Sequence, residues 1–192
     1  DDTLIQGGGT VDIVVGQADA KFGNELTMTD SSDIKGNDIN VTTEDNVEMT
    51  GSADIQAVRN VNMDVGKDLV MASGGGAQDV DIVGGNNAKV NVANNATMSG
   101  KSLIEGTGNN ADVDVANNMT MNGDSKVKAG NNVDVNVAAG DLIMNDTSSL
   151  EAVGNNVKVQ TGDDVLMNGS SDIDAGNNVD IDAGGEVLVS NN

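Results

Sequence analysis

Four short phrases, "ADVDV" (111–115), "VDVNV" (133–137), "VKVQT" (157–161) and "VDIDA" (179–183), alternate apolar and polar residues and recur at nearly constant spacing. Laid over one another, they align Asp112, Asp134, Lys158 and Asp180 in one column and Asp114, Asn136, Gln160 and Asp182 in the next. If each phrase is a strand in a stack, neighbouring side chains stand about 5 Å apart, close enough for carboxylates to repel. Calcium favours oxygen-rich company of this kind. Asp112, Asp114, Asp134, Asp180 and Asp182 are therefore candidate calcium ligands, and calcium is the one cofactor the residues suggest. The competing reading is a solvated acidic face relieved by Lys89, Lys128 and Lys158. The nine-residue glycine–aspartate repeat of calcium-loaded β-rolls is not present.

Other chemistry is poorly supplied. The chain has no His, Tyr, Trp, Cys or Pro, and Phe22 is its one aromatic residue. Arg59 is the only arginine. General acid–base and nucleophilic catalysis draw mostly on groups missing here, and serine has no partner base. The expectation is that the protein is not an enzyme. Nine Lys and Arg against 31 Asp and Glu give a net charge of -22, which opposes binding to nucleic acid or an anionic membrane. No run approaches the roughly 20 apolar residues of a membrane helix.

The elements that position the acidic columns are repeats. Met28, Met49, Met71, Met98, Met121, Met144 and Met167, with Val189 in the same place, step along the chain by 21, 22, 27, 23, 23, 23 and 22 residues. The phrase GNN keeps the same rhythm at Gly85, Gly108, Gly130, Gly154 and Gly176. So do apolar positions at Ile34, Ile55, Leu103–Ile104, Val127, Leu150 and Ile173. A period of this length marks stacked-repeat architectures. Within a repeat the alternation has period two, and frequent Gly, Asn and Asp with β-branched Val disfavour helix. Each unit reads as three short strands joined by the turns NGS, GNN and GGE, whose Gly and Asn accept positive φ.

Short strands bury little alone, so coils must stack, Met on Met and Val on Val, in a continuous apolar column. The expected fold is all-β: a single-domain parallel β-solenoid, or β-helix, over 1–192. It has about eight coils of 21–27 residues and three short strands per coil. The ladder Met28, Met49, Met71, Met98, Met121, Met144, Met167 and Val189 is expected as core; nine thioethers could instead bind soft metals, but one per coil fills a column equally well. The long step after Met71 points to a bulge near 73–78. An irregular loop near 16–25 carries Phe22, read as a local plug or as a contact for a partner.

The stretch "AAGDLIMNDTSSLEAVGNNVKVQTGDDVLMNGSSDIDAGNNVDIDAGGEVLV" (138–189) resembles the filamentous-haemagglutinin type of repeat found in large secreted bacterial adhesins, including two-partner-secretion exoproteins. The resemblance covers nearly the whole chain. It implies a right-handed β-helix, an extracellular or cell-surface location of bacterial type, and a structural or adhesive role. A second resemblance is to curli-type fibre subunits. "SLIEGTGNNADVDV" (102–115) carries their Ser, Gly-x-Gly-Asn and Ala-x-Val spacing and "TLIQGGGTVDIVV" (3–15) is similar to it, with Glu105 or a turn residue where the regular Gln would stand.

The repeat continues to both ends without a capping sequence, and "VLVSNN" followed by "DDTLIQGGGTVDIVV" mimics 165–183. Leu4, Ile5, Val11, Ile13, Val187, Leu188 and Val189 are accordingly expected at contacts between copies in a head-to-tail homopolymer. The expected function is a structural subunit of an extracellular filament or stalk in biofilm or fibre. The alternatives are a shaft segment of a secreted adhesin, meeting a host or neighbouring-cell surface, and a calcium-binding extracellular module.

Overall fold

A computed structural model describes residues 3–16, 24–74 and 79–190. Phe22 and most of the expected loop near 16–25 lie outside the described residues, as do residues 75–78 of the expected bulge. The described residues form strands and turns, with no helix among them. The chain is an all-β parallel solenoid of about seven turns, close to the expected eight.

Its strands, in chain order, are β1 (Leu4–Gln6), β2 (Thr10–Val15), β3 (Leu26–Met28), β4 (Asp33–Thr43), β5 (Val47–Gly51), β6 (Asp54–Val65), β7 (Leu69–Ser73) and β8 (Val80–Gly84). Then come β9 (Asn87–Val92), β10 (Ala96–Ser99), β11 (Ser102–Gly106), β12 (Asn110–Val115), β13 (Met119–Met121), β14 (Lys126–Ala129) and β15 (Asn132–Val137). The last are β16 (Leu142–Met144), β17 (Ser149–Ala152), β18 (Asn156–Thr161), β19 (Val165–Asn168), β20 (Asp172–Ala175), β21 (Asn178–Ala183) and β22 (Val187–Ser190).

The three strands of a coil belong to two hydrogen-bonded sheets. An eight-stranded sheet stacks β3, β5, β7, β10, β13, β16, β19 and β22 in that order. The other two strands of each coil join one 14-stranded sheet, because β4 and β6 run straight through the corner that later coils turn with GNN. Those two early coils hold "IKGNDINV" and "IQAVRNVN" at that corner, without the GNN phrase, and their register shifts between Gly36 and Asp38.

The interior follows from register. Met28, Met49, Met71, Met98, Met121, Met144, Met167 and Val189 pair in a single file up the eight-stranded sheet. Met49 through Met144 in this file are fully buried, while Val189, in the edge strand β22, is 70% exposed. Met63 and Met119 are buried in neighbouring columns. Burying one such side chain stabilises by roughly 1.5–3 kcal/mol, which a single coil cannot achieve without its neighbours.

A second column runs Ile5, Ile34, Ile55, Ile82, Ile104, Val127, Leu150 and Ile173. Ile104 faces inward and Leu103 outward, which resolves the pair. Ile82 is the rung concealed in the sequence by the long step after Met71. At the start of the chain Ile5 occupies this column, whereas Leu4 pairs with Asp33 on the outer side.

The corners use glycine for two different reasons. After the strands of the eight-stranded sheet, Gly51, Gly100, Gly123 and Gly169 adopt φ between +69 and +80, and Asp30 and Asp146 take the same left-handed conformation. At GNN no described residue has positive φ, contrary to expectation. Glycine is needed there because the preceding coil is too near: a Cβ on Gly130 would lie 2.3 Å from the Thr107 carbonyl oxygen.

Candidate functional site

The outward columns and the end strands are the surfaces open to a partner or an ion. On the third strand of each coil, register brings Lys89, Asp112, Asp134, Lys158 and Asp180 together in file. The next file is Asn91, Asp114, Asn136, Gln160 and Asp182. A groove of about 300 Å³ runs between them, lined by Lys89, Asp112, Asp114, Asp134, Asn136 and Gln160.

The five candidate calcium ligands are not one cluster. Only Asp112 and Asp134 are direct neighbours in a file, and both ends of that pair meet lysine. Asp114 sits between two asparagines and accepts a 3.2 Å hydrogen bond from Asn136 Nδ2. Asp180 and Asp182 are cut off from the rest by Lys158 and Gln160 and are exposed. Burial, followed by the Asp134 charge, pushes the Asp112 carboxyl up, with Lys89 acting in the opposite direction. The lysines are dispersed: Lys89 lies 3.9 Å from Asp114, Lys128 pairs at 3.0 Å with Glu151 on the second strand, and Lys158 donates to Gln160 at 2.8 Å.

A tighter acidic group lies elsewhere. Asp141, Asp163 and Asp164 place carboxylate oxygens within 4.8 Å of one another at the corner leading into β16 and β19. The phrases "GDLIM" and "GDDVLM" held the signal: aspartate immediately before the first strand in consecutive repeats. Asp141 and Asp164 also have a structural task. Each accepts the backbone N–H of the equivalent residue one coil on, Asp164 at 3.0 Å and Glu186 at 2.7 Å.

That task is shared along the whole corner, where Asn46, Asp68, Asn95 and Asn118 do the same for Asp68, Asn95, Asn118 and Asp141. Side-chain oxygens thus satisfy amides that the turn leaves without a strand partner. The GNN corner carries two more files. Asn131, Asn155 and Asn177 donate Nδ2–H to the Oδ1 of Asn109, Asn131 and Asn155 at 3.1, 2.8 and 3.1 Å. Asn132, Asn156 and Asn178 repeat the pattern beside them. A third file joins Asn122, Asn145, Asn168 and Ser190.

A different carboxylate stack marks the second strand. Asp33, Asp54 and Asp81 are in register, with Leu103 over the last. Asp33 is neutralised by Lys35 at 2.6 Å, and Asp54 accepts from Gln56 at 3.1 Å. Asp81 Oδ1 is buried without a hydrogen-bond partner. Burial, reinforced by Asp54, Asp79 and Glu105, pushes the Asp81 carboxyl up to about 7. Asp54 is also raised, by burial first and Asp33 second.

The residues expected at contacts between copies lie on the edge strands. Leu4, Ile5, Val187, Leu188 and Val189 are exposed; Val11 and Ile13 are partly buried against the core. Among the described residues, β20, β21 and β22 each pair on one side only.

Comparison with family models, with curated proteins and with solved structures finds no match to this chain.

Proposed function

We propose that this chain is a structural, non-catalytic element of an extracellular filament or stalk, extended by stacking coil upon coil. The supporting observation is the axial register, kept through the stack apart from the shift between Gly36 and Asp38: apolar columns inside and amide files outside repeat from coil to coil, and the end strands keep hydrogen-bonding edges free among the described residues. Such edges accept another strand of the same period. Addition of a further coil would cover Val187, Leu188 and Val189 on one side and Leu4 and Ile5 on the other. A contact between unlike ends does not close, so it generates filaments. The likeness to filamentous-haemagglutinin-type repeats supports the extracellular setting.

Sedimentation of the purified chain tests this reading. In about 0.5 M salt, which screens the net charge of -22, long polymers are expected. Val187→Lys with Val189→Lys should leave single folded copies. A wild-type chain that remains monomeric at high concentration under these conditions overturns the proposal.

A further inference from the structure

Beyond Glu48 on β5, the outer face of the eight-stranded sheet differs in charge from the other two faces. From β7 upward, its first outward file reads Val70, Thr97, Thr120, Ile143, Leu166 and Leu188. The second, two residues on, reads Ala72, Ser99, Asn122, Asn145, Asn168 and Ser190. No position in either file is ionisable, although 21% of the chain is charged. Over the same coils the third-strand face carries Lys89, Asp112, Asp114, Asp134, Lys158, Asp180 and Asp182. The second-strand face is ionic as well, with Glu105, Lys128, Glu151 and Asp174 in one file.

We propose that this neutral face is a lateral interface on which a second copy of the chain docks, solenoid alongside solenoid. The inference rests on the rod reading for its strength, though not for its geometry. With a net charge of -22, two copies approaching through their acidic faces repel, and desolvating those carboxylates adds a further cost. Over these two files two copies meet without burying a charge; the ionisable groups of this sheet lie at the borders, Glu48 below Val70 and Asp141, Asp163 and Asp164 at the corner before β16 and β19. The period also matches: both faces repeat every 4.8 Å or so, so side chains of one copy seat between the rungs of the other over the six rungs from β7 to β22, as in a dry sheet-to-sheet contact. Along one margin Asn145, Asn168 and Ser190 each give a donor to the coil before them, so the oxygens of Asn122, Asn145 and Asn168 are already paired within one copy.

Size sets the strength. Six rungs span about 24 Å, and strands of this sheet are about 13 Å wide, giving roughly 300 Å² per copy, well under the ~800 Å² a side of a stable complex. Single copies therefore pair weakly, and stacked copies pair strongly, because each added subunit makes its contact at high effective concentration.

Absence of cysteine makes the test clean. Thr120→Cys places one thiol on the neutral face and Asp134→Cys places one on the acidic face. Both go into the Val187→Lys, Val189→Lys background, so that end-to-end stacking is blocked and cannot supply the encounter. Under oxidising conditions in about 0.5 M salt, Thr120→Cys should form disulfide-linked dimers at least about tenfold faster than Asp134→Cys. Adding Leu166→Lys should slow the Thr120→Cys reaction by a similar factor while circular dichroism stays that of the folded solenoid. Equal rates for the two cysteines, or no effect of Leu166→Lys, overturns the lateral interface. Failure of the wild-type chain to form end-to-end polymers would instead count against the rod, and leaves this comparison intact.

Discussion

Two columns on the same strands, two residues apart, behave in opposite ways. Asn110, Asn132, Asn156 and Asn178 stand at the start of β12, β15, β18 and β21, and Asp112, Asp134, Lys158 and Asp180 stand at the third position. Both files point outward with the same axial spacing. In the first, each amide donates to the oxygen of the coil before it, at 3.0 to 3.4 Å from Asn132 onward, so every added coil extends a hydrogen-bonded chain. In the second, Asp112 and Asp134 have nothing to exchange; burial first and the Asp134 charge second push the Asp112 carboxyl up, and a lysine stands at either end of the pair. An amide carries donor and acceptor and so satisfies its own copy. A carboxylate is acceptor only and needs a proton, a lysine or a cation. Axial cohesion therefore resides in the interior and the amide files, and sensitivity to pH and ions resides in the carboxylate columns.

The comparison can be broken hardest by moving a carboxylate into the interior. Met121→Asp buries a charge in the fully enclosed methionine file. It should destabilise by roughly 3–5 kcal/mol or more, seen as loss of the urea transition or fraying of adjacent coils by hydrogen exchange. Wild-type stability in this variant would show that the file is not core.

Next in size is conversion of one file into the other. Asn132→Asp removes the donor to Asn110 and sets two oxygens against each other, at a cost of about 1–2 kcal/mol in denaturant midpoint. An unchanged midpoint would mean the amide file is incidental to cohesion.

The Asp33–Asp54–Asp81 stack sharpens the comparison through pH. Asp81 is pushed to about 7 in the folded chain from an ordinary 3.8. The folded state therefore holds more protons than the unfolded state between those values, and stability falls as pH rises through that window, levelling off above it. Melting temperature should be higher near pH 5 than near pH 8, a range set by that shift. Asp81→Asn should flatten the dependence and melt higher than wild type at the alkaline end. A slope that survives the substitution would remove Asp81 as its source.

The smallest effect is expected at Asp134→Asn, a gain of up to about 1 kcal/mol at low salt that fades as salt rises. If calcium binds this column, the same variant would instead lose a calcium-dependent rise in melting temperature.

These contrasts also explain what could be read from residues alone. The fold class was legible because inward positions must match the coil above and below, so Met and Val repeat by type as well as by place. The amide files were concealed because Asn in GNN is equally what a turn prefers, and only register shows Asn131 reaching Asn109. The Ile82 rung was hidden by the extra residues after Met71, and Leu4 and Ile5 cannot be told apart by type because both are apolar; pairing with Ile34 places Ile5 in the column. Among the acidic residues, composition by column suggested one calcium site; register shows Lys158 dividing it and gathers Asp141, Asp163 and Asp164 at another corner.

The central claim is axial growth by coil stacking, and electron microscopy with fibre diffraction of the wild-type chain at high salt tests it most directly. Eight rungs of the eight-stranded sheet at about 4.8 Å give an axial length near 38 Å per copy. The account predicts long threads with a meridional reflection at about 4.8 Å and an axial repeat of about 38 Å, and their loss with Val187→Lys and Val189→Lys. Short single particles with no such repeat, from a chain that is folded and concentrated, would contradict it.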